Sequence, residues 1–184
     1  MLDTIAGLPI HPLVVHATVV AVPTAAFTVL LAALWPRFRR WAGWLPLALS
    51  AASIALVPLS TSSGESLEER VGDSALVERH AELGEGLLVW VVVLLLAAVA
   101  LQVRDRLAAR RPSNPAGTSA AAGEGGPGRR RAGGLLATVV TLLLVTAGVG
   151  GTVVQTVLIG HSGAQASWDD VPAPSGEGGD EDDD

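Results

Sequence analysis

The sequence predicts an all-α, polytopic membrane protein, a bundle of four transmembrane helices, and three observations carry that prediction. Apolar runs occur at about residues 13–34, 44–59, 86–101 and 135–159, and about 20 apolar residues in a helix span the ~30 Å hydrocarbon layer. Only 16% of the 184 residues are charged while 49% are hydrophobic, whereas a soluble domain carries about a quarter charged residues. The arginines, finally, gather in alternate polar segments, as the positive-inside rule requires of a protein that crosses back and forth.

The elements follow in order. Residues 1–12 carry no Lys or Arg ahead of the first apolar run, so that run reads as a retained helix rather than a signal peptide. His11 followed by Pro12 reads as a helix start, where the missing N–H of proline is harmless. Pro23, in mid-span, is expected to kink the helix. Trp35 to Trp44 mixes aromatics with Arg37, Arg39 and Arg40, the composition of an interfacial turn. The second span, residues 44–59, has Pro46 near its start and Pro58 near its end. Residues 60–85 form an aqueous segment in which Ser74 can cap a helix that runs through Glu78, His80 and Glu82 into the third span. Four arginines between residues 104 and 111 close that span. Residues 112–134 are rich in Gly, Pro, Ala and Ser, with no means of building a core, and read as a disordered linker. The fourth span carries Ala147, Gly148, Gly150 and Gly151, small positions that allow close helix approach, and Gly160-His161-Ser162-Gly163 is expected to stop it. The membrane domain thus covers residues 1–165. Residues 166–184 form an acidic tail expected to be disordered.

Charge sets the orientation. If segments 35–43 and 103–134 share one side, that side holds ten arginines and two acids, and the other holds two arginines and sixteen acids. The arginine-rich side belongs in the cytoplasm, which places the chain in the plasma (bacterial inner) membrane with both termini extracytoplasmic. The arginine-rich linker can touch anionic lipid at its own leaflet. The bilayer is therefore the first partner, and nucleic acid is not expected.

The chemistry available is narrow. Cysteine is absent and the one methionine is the initiator, so thiolate metal sites, disulfides and Met-ligated haem are excluded. No nucleophilic triad, phosphate-binding loop or dinucleotide fingerprint is present, and a stand-alone enzyme is not expected. What remains is histidine. His11 and His16 open the first span, His80 precedes the third and His161 follows the fourth, so all four fall at the outer rim. Polar, titratable groups there cost insertion energy and are candidates for function. Five residues apart on a helix, His11 and His16 point about 140° away from each other, so any site must be shared between helices. Interfacial histidines that bridge water and headgroups account for the same spacing. So do two axial imidazoles for a b-type haem, and so does a zinc or copper site from His11, His16, His80 and His161 with Glu82.

Four segments carry a resemblance. Gly7-Leu8-Pro9-Ile10-His11-Pro12-Leu13-Val14-Val15-His16, Ser63-Gly64-Glu65-Ser66-Leu67-Glu68-Glu69-Arg70-Val71, His80-Ala81-Glu82-Leu83-Gly84-Glu85 and Gly160-His161-Ser162-Gly163-Ala164 together resemble the bacterial membrane family named domain of unknown function 2231, over residues 7 to 165. The resemblance implies four transmembrane helices and no established activity. Some members are joined to Rieske iron–sulfur or cytochrome-like modules, company that implies electron transfer and favours haem over a bare metal. The expectation is thus a membrane protein that binds haem b through outer-face histidines, with His16 and His80 or His161 as axial ligands and His11 beside them, serving a redox partner protein. The alternatives are a non-catalytic interaction module whose acidic outer loop and tail dock a basic partner, and the zinc or copper site. No oligomeric state follows from the sequence.

Overall fold

The computed structural model describes residues 4–5, 8–71, 74–110 and 127–168. Within them the chain forms five helices, α1 (Ile10–Leu34), α2 (Pro36–Ala42), α3 (Leu45–Val71), α4 (Ala75–Ala109) and α5 (Pro127–Trp168). A two-residue antiparallel pairing of β1 (Thr4–Ile5) with β2 (Leu8–Pro9) precedes them. Four of the helices, all but α2, are long and apolar enough to cross a membrane. They pack as a ring, α1 against α3 and α5, and α4 against α3 and α5.

Each boundary has a local cause. Trp35 is extended and Pro36 opens α2, so the expected turn is a short helix with proline where its lost N–H is harmless. Gly43 ends it at φ 55°, backbone that glycine adopts without a Cβ penalty. Ser74 caps α4, its side chain accepting from the Val77 N–H at 3.2 Å, and the helix then runs unbroken into the third span as the sequence indicates. The helix α1 starts at Ile10, one residue before His11, and its helical backbone continues through Pro23.

Three expectations about where helices end are corrected. The second span does not stop near Leu59, because α3 continues to Val71. The hydroxyls of Thr61, Ser62, Ser63 and Ser66 donate to carbonyls three or four residues back, so residues that usually compete with a helix are satisfied within it. The fourth span does not stop at Gly160-His161-Ser162-Gly163. Ser162 donates to the Ile159 carbonyl, α5 keeps its contact with α4 there, and the helix reaches Trp168. At the other end α5 begins at Pro127, so residues 127–134 of the expected linker are helical. The remainder of that linker before Pro127 and the tail from Asp169 onward lie outside the described residues.

The core is made of small side chains. Ala25, Ala26, Val29 and Ala32 of α1 meet Leu94, Ala97, Ala98 and Leu101 of α4 and Val145 of α5 in one half of the bundle. Val22, Val57, Leu87 and Val91 fill the other. Lipid is as apolar as leucine, so close packing rather than water exclusion holds such helices together. Phe27, Leu143 and Val157 are more than half exposed and face the bilayer. The tightest seam is α4 on α5. A Cβ on Gly148 would lie 2.9 Å from the Leu94 backbone, and one on Gly151 would lie 2.0 Å from the Trp90 ring. Of the four small positions read as a contact face, Gly148 and Gly151 make the contact, while Gly150 faces open space.

A Gly148→Ala substitution is therefore expected to destabilise the bundle by about 1–3 kcal/mol, because backbone cannot yield as a side chain can. Gly150→Ala should be neutral within about 0.5 kcal/mol. Thermal unfolding of the two variants in detergent checks both.

Candidate functional site

The antiparallel helices bring residues far apart in sequence to the end of the bundle where α1 begins. On α1, His11 Nδ1 lies 3.0 Å from Ser63 Oγ of α3. On α4, His80 Nδ1 lies 3.0 Å from Ser162 Oγ of α5. In each pair the residue after the serine is glycine, and the imidazole lies against it. A Cβ on Gly64 would sit 3.1 Å from His11 Cε1, and one on Gly163 would sit 2.9 Å from His80 Cε1. Each ring thus occupies a seat that a side chain would fill.

The tautomer follows from where the serine proton goes. A serine hydroxyl has a single proton to donate. Ser63 has the Ser60 carbonyl within reach at 2.9 Å, and Ser162 has the Ile159 carbonyl at 3.0 Å. With its proton on that carbonyl each Oγ accepts from the imidazole, which puts the neutral-state proton of His11 and His80 on Nδ1; with its proton toward the ring the hydroxyl donates instead and the ring carries its proton on Nε2. The first is the state a metal-ligating histidine adopts when a second group fixes its far nitrogen.

Both contacts lie at the same end of the bundle, where α3 and α4 are in register: Thr61 of α3 meets the position of Gly84 on α4, one turn from Ser63–Gly64 and from His80 respectively.

The other candidates are placed differently. His16 is exposed, and its Nδ1 pairs with the carbonyl of Pro12 in its own helix. His161 is exposed too, one position from the buried Ser162. The structure thus seats His11 and His80 against serines at one end of the bundle and leaves His16 and His161 exposed. Glu82 is exposed and lies 3.7 Å from Arg79. Among the described residues no three His, Asp or Glu side chains gather into a metal-binding group.

Comparison with known proteins agrees with this architecture. A family model described as predicted membrane protein (DUF2231) matches residues 7–172. The chain belongs to that family. No curated protein and no solved structure matches it. The DUF2231 match takes in all four spans, all four histidines and both serines. It identifies a multi-pass membrane protein and assigns it no activity.

Sequence reasoning reached the histidines and missed their partners. A signal was present: of the three Ser-Gly pairs in the chain, Ser63-Gly64 and Ser162-Gly163 each lie opposite a histidine that opens the neighbouring helix of its hairpin. The DUF2231 bundle is in this sense two helical hairpins, α1 with α3 and α4 with α5, each closed by one His–Ser–Gly contact.

Imidazole ¹⁵N NMR of the full-length protein in detergent, with no metal or haem added and above pH 8, tests the tautomer. Three of the four side chains, His11, His80 and His16, whose Nδ1 faces the Pro12 carbonyl, should show protonated Nδ1 with a bare Nε2. Ser63→Ala should return one of them to the mixed tautomers of a free imidazole.

Proposed function

We propose that this protein is a b-type cytochrome of the membrane, with His11 and His80 as the axial ligands of one haem near the outer face. The observation that carries the reading is the donor set, two neutral imidazoles from two hairpins, each with Nδ1 tied to a serine. A porphyrin brings four equatorial nitrogens of its own and asks the protein for only two ligands. A bare zinc ion asks for three or four, which the described residues do not assemble. The number of ligands therefore favours haem.

The chain's own residues have distinct roles in this reading. His11 and His80 would hold the iron. Ser63 and Ser162 fix the ring orientation and keep the proton off Nε2, the contribution expected of partners behind a ligand. Gly64 and Gly163 leave the space in which each ring is seated. Haem, when bound, supplies one-electron chemistry, and a site at the rim favours exchange with a partner protein at the outer surface. The arginine-rich end then faces the cytoplasm, with the termini outside, in the plasma membrane. The protein is an electron carrier and not a stand-alone enzyme.

The test is haem retention by single-histidine variants made in a host supplied with haem precursor. His11→Ala and His80→Ala should each lose the haem that co-purifies with the wild-type protein. His16→Ala and His161→Ala should keep it in full. Haem retained by both His11→Ala and His80→Ala, or none in folded wild-type protein, would overturn the assignment.

A further inference from the structure

The opposite end of the bundle carries a second site, independent of the histidines. The seven-residue helix α2 (Pro36–Ala42) lies across the exit of α1 and the entry of α3, and its two faces have different tasks. The inner face anchors it. Phe38 packs against the Ala-rich core, Arg39 Nε lies 2.9 Å from Asp105 Oδ2 of α4, and Arg39 Nη1 donates to the Ala32 carbonyl at 3.1 Å. Behind it, the Arg106 guanidinium sits 4.3 Å from the Trp44 ring centroid. The Phe38 packing and the two Arg39 contacts tie α2 to the bundle.

The outer face has no such partners. Arg37, Arg40 and Trp41, at positions i, i+3 and i+4, share it. Both arginines are exposed and Trp41 is 78% exposed. Asp105 is the one acid at this end among the described residues, and Arg39 already occupies it. A tethered helix that turns a large indole and two uncompensated guanidinia outward is built for a surface both apolar and anionic. The only such surface at the end of a transmembrane bundle is the headgroup layer, where indoles settle at the polar–apolar boundary and guanidinium groups grip phosphate oxygens in pairs.

We propose that the outer face of α2 is a binding site for the phosphate of an anionic phospholipid, held by Arg37 and Arg40 with the Trp41 ring alongside the upper acyl chain. The site selects by net headgroup charge. A zwitterionic lipid presents the same phosphate beside its own cation, which competes with the arginines, whereas an anionic lipid leaves the phosphate to them. A bound lipid would hold α2 against the bilayer and so steady the junction of α1 and α3.

The experiment uses the full chain reconstituted in an equimolar mixture of phosphatidylglycerol and phosphatidylcholine, extracted in mild detergent, with retained lipids counted by native mass spectrometry. Wild-type protein should retain phosphatidylglycerol in preference to phosphatidylcholine. Arg37→Gln with Arg40→Gln should lower phosphatidylglycerol retention about tenfold, with an unchanged thermal midpoint, since the Arg39–Asp105 and Arg106–Trp44 contacts are untouched. Arg37→Lys with Arg40→Lys should keep most of it, and Arg79→Gln at the other end should change nothing. Equal retention of the two lipids by wild type, or undiminished phosphatidylglycerol on the glutamine variant, would overturn the proposal.

Discussion

The histidine end of the bundle depends on one constraint, that a serine hydroxyl has only one proton to give. Ser63 and Ser162 each have a carbonyl one turn back in their own helix within reach, and a proton committed there leaves the imidazole across the interface to donate. The consequence is two histidines whose Nε2 lone pairs are bare, on different hairpins, at one end of the bundle. No charge or metal is needed to reach that state. It rests on helix continuity, because the carbonyls that accept the serine protons exist only while α3 and α5 remain helical beyond the apolar runs.

That continuity is sustained by packing at the same seams. His11 against Gly64 and His80 against Gly163 hold the polar extensions of α3 and α5 onto α1 and α4. Gly148 on Leu94 and Gly151 on Trp90 set the α4–α5 distance deeper in the bundle, and Gln155 reinforces it by donating to the Leu83 carbonyl at 2.6 Å. Buried hydroxyls elsewhere follow the same rule: Ser50 and Ser53 return their protons to the carbonyls of Pro46 and Leu49. Polar atoms inside this bundle are thus satisfied mostly within one helix, as a solvent without hydrogen bonds demands. Interhelical polar contacts are few, and the two His–Ser pairs are the most conspicuous of them.

Much of the fold was legible in the sequence, and most of the site was not. The spans were legible because apolar length is a direct statement about the bilayer: the runs that begin near Leu13, Trp44, Gly86 and Leu135 all lie within long helices. Ser74 announced the start of α4 by its capping chemistry. The helix ends were not legible, because serine and glycine are breakers only when nothing packs on them, and the residues that pack on Gly64 and Ser162 lie 53 and 82 positions away. The surroundings of each histidine were not legible either. His16 and His80 or His161 stood as candidates by depth, yet depth does not say which way a side chain points. Helical phase relative to a neighbour decides that, and it turns His11 and His80 inward. The repeated Ser-Gly was the one local clue to the pairing.

The central claim is that two imidazoles, and nothing else from the protein, complete the coordination of one haem iron. Electron paramagnetic resonance of the oxidised, purified full-length protein tests it most directly. The account predicts a low-spin ferric signal of bis-imidazole type, one haem per chain. A high-spin signal, or none from haem-replete and folded protein, would contradict it.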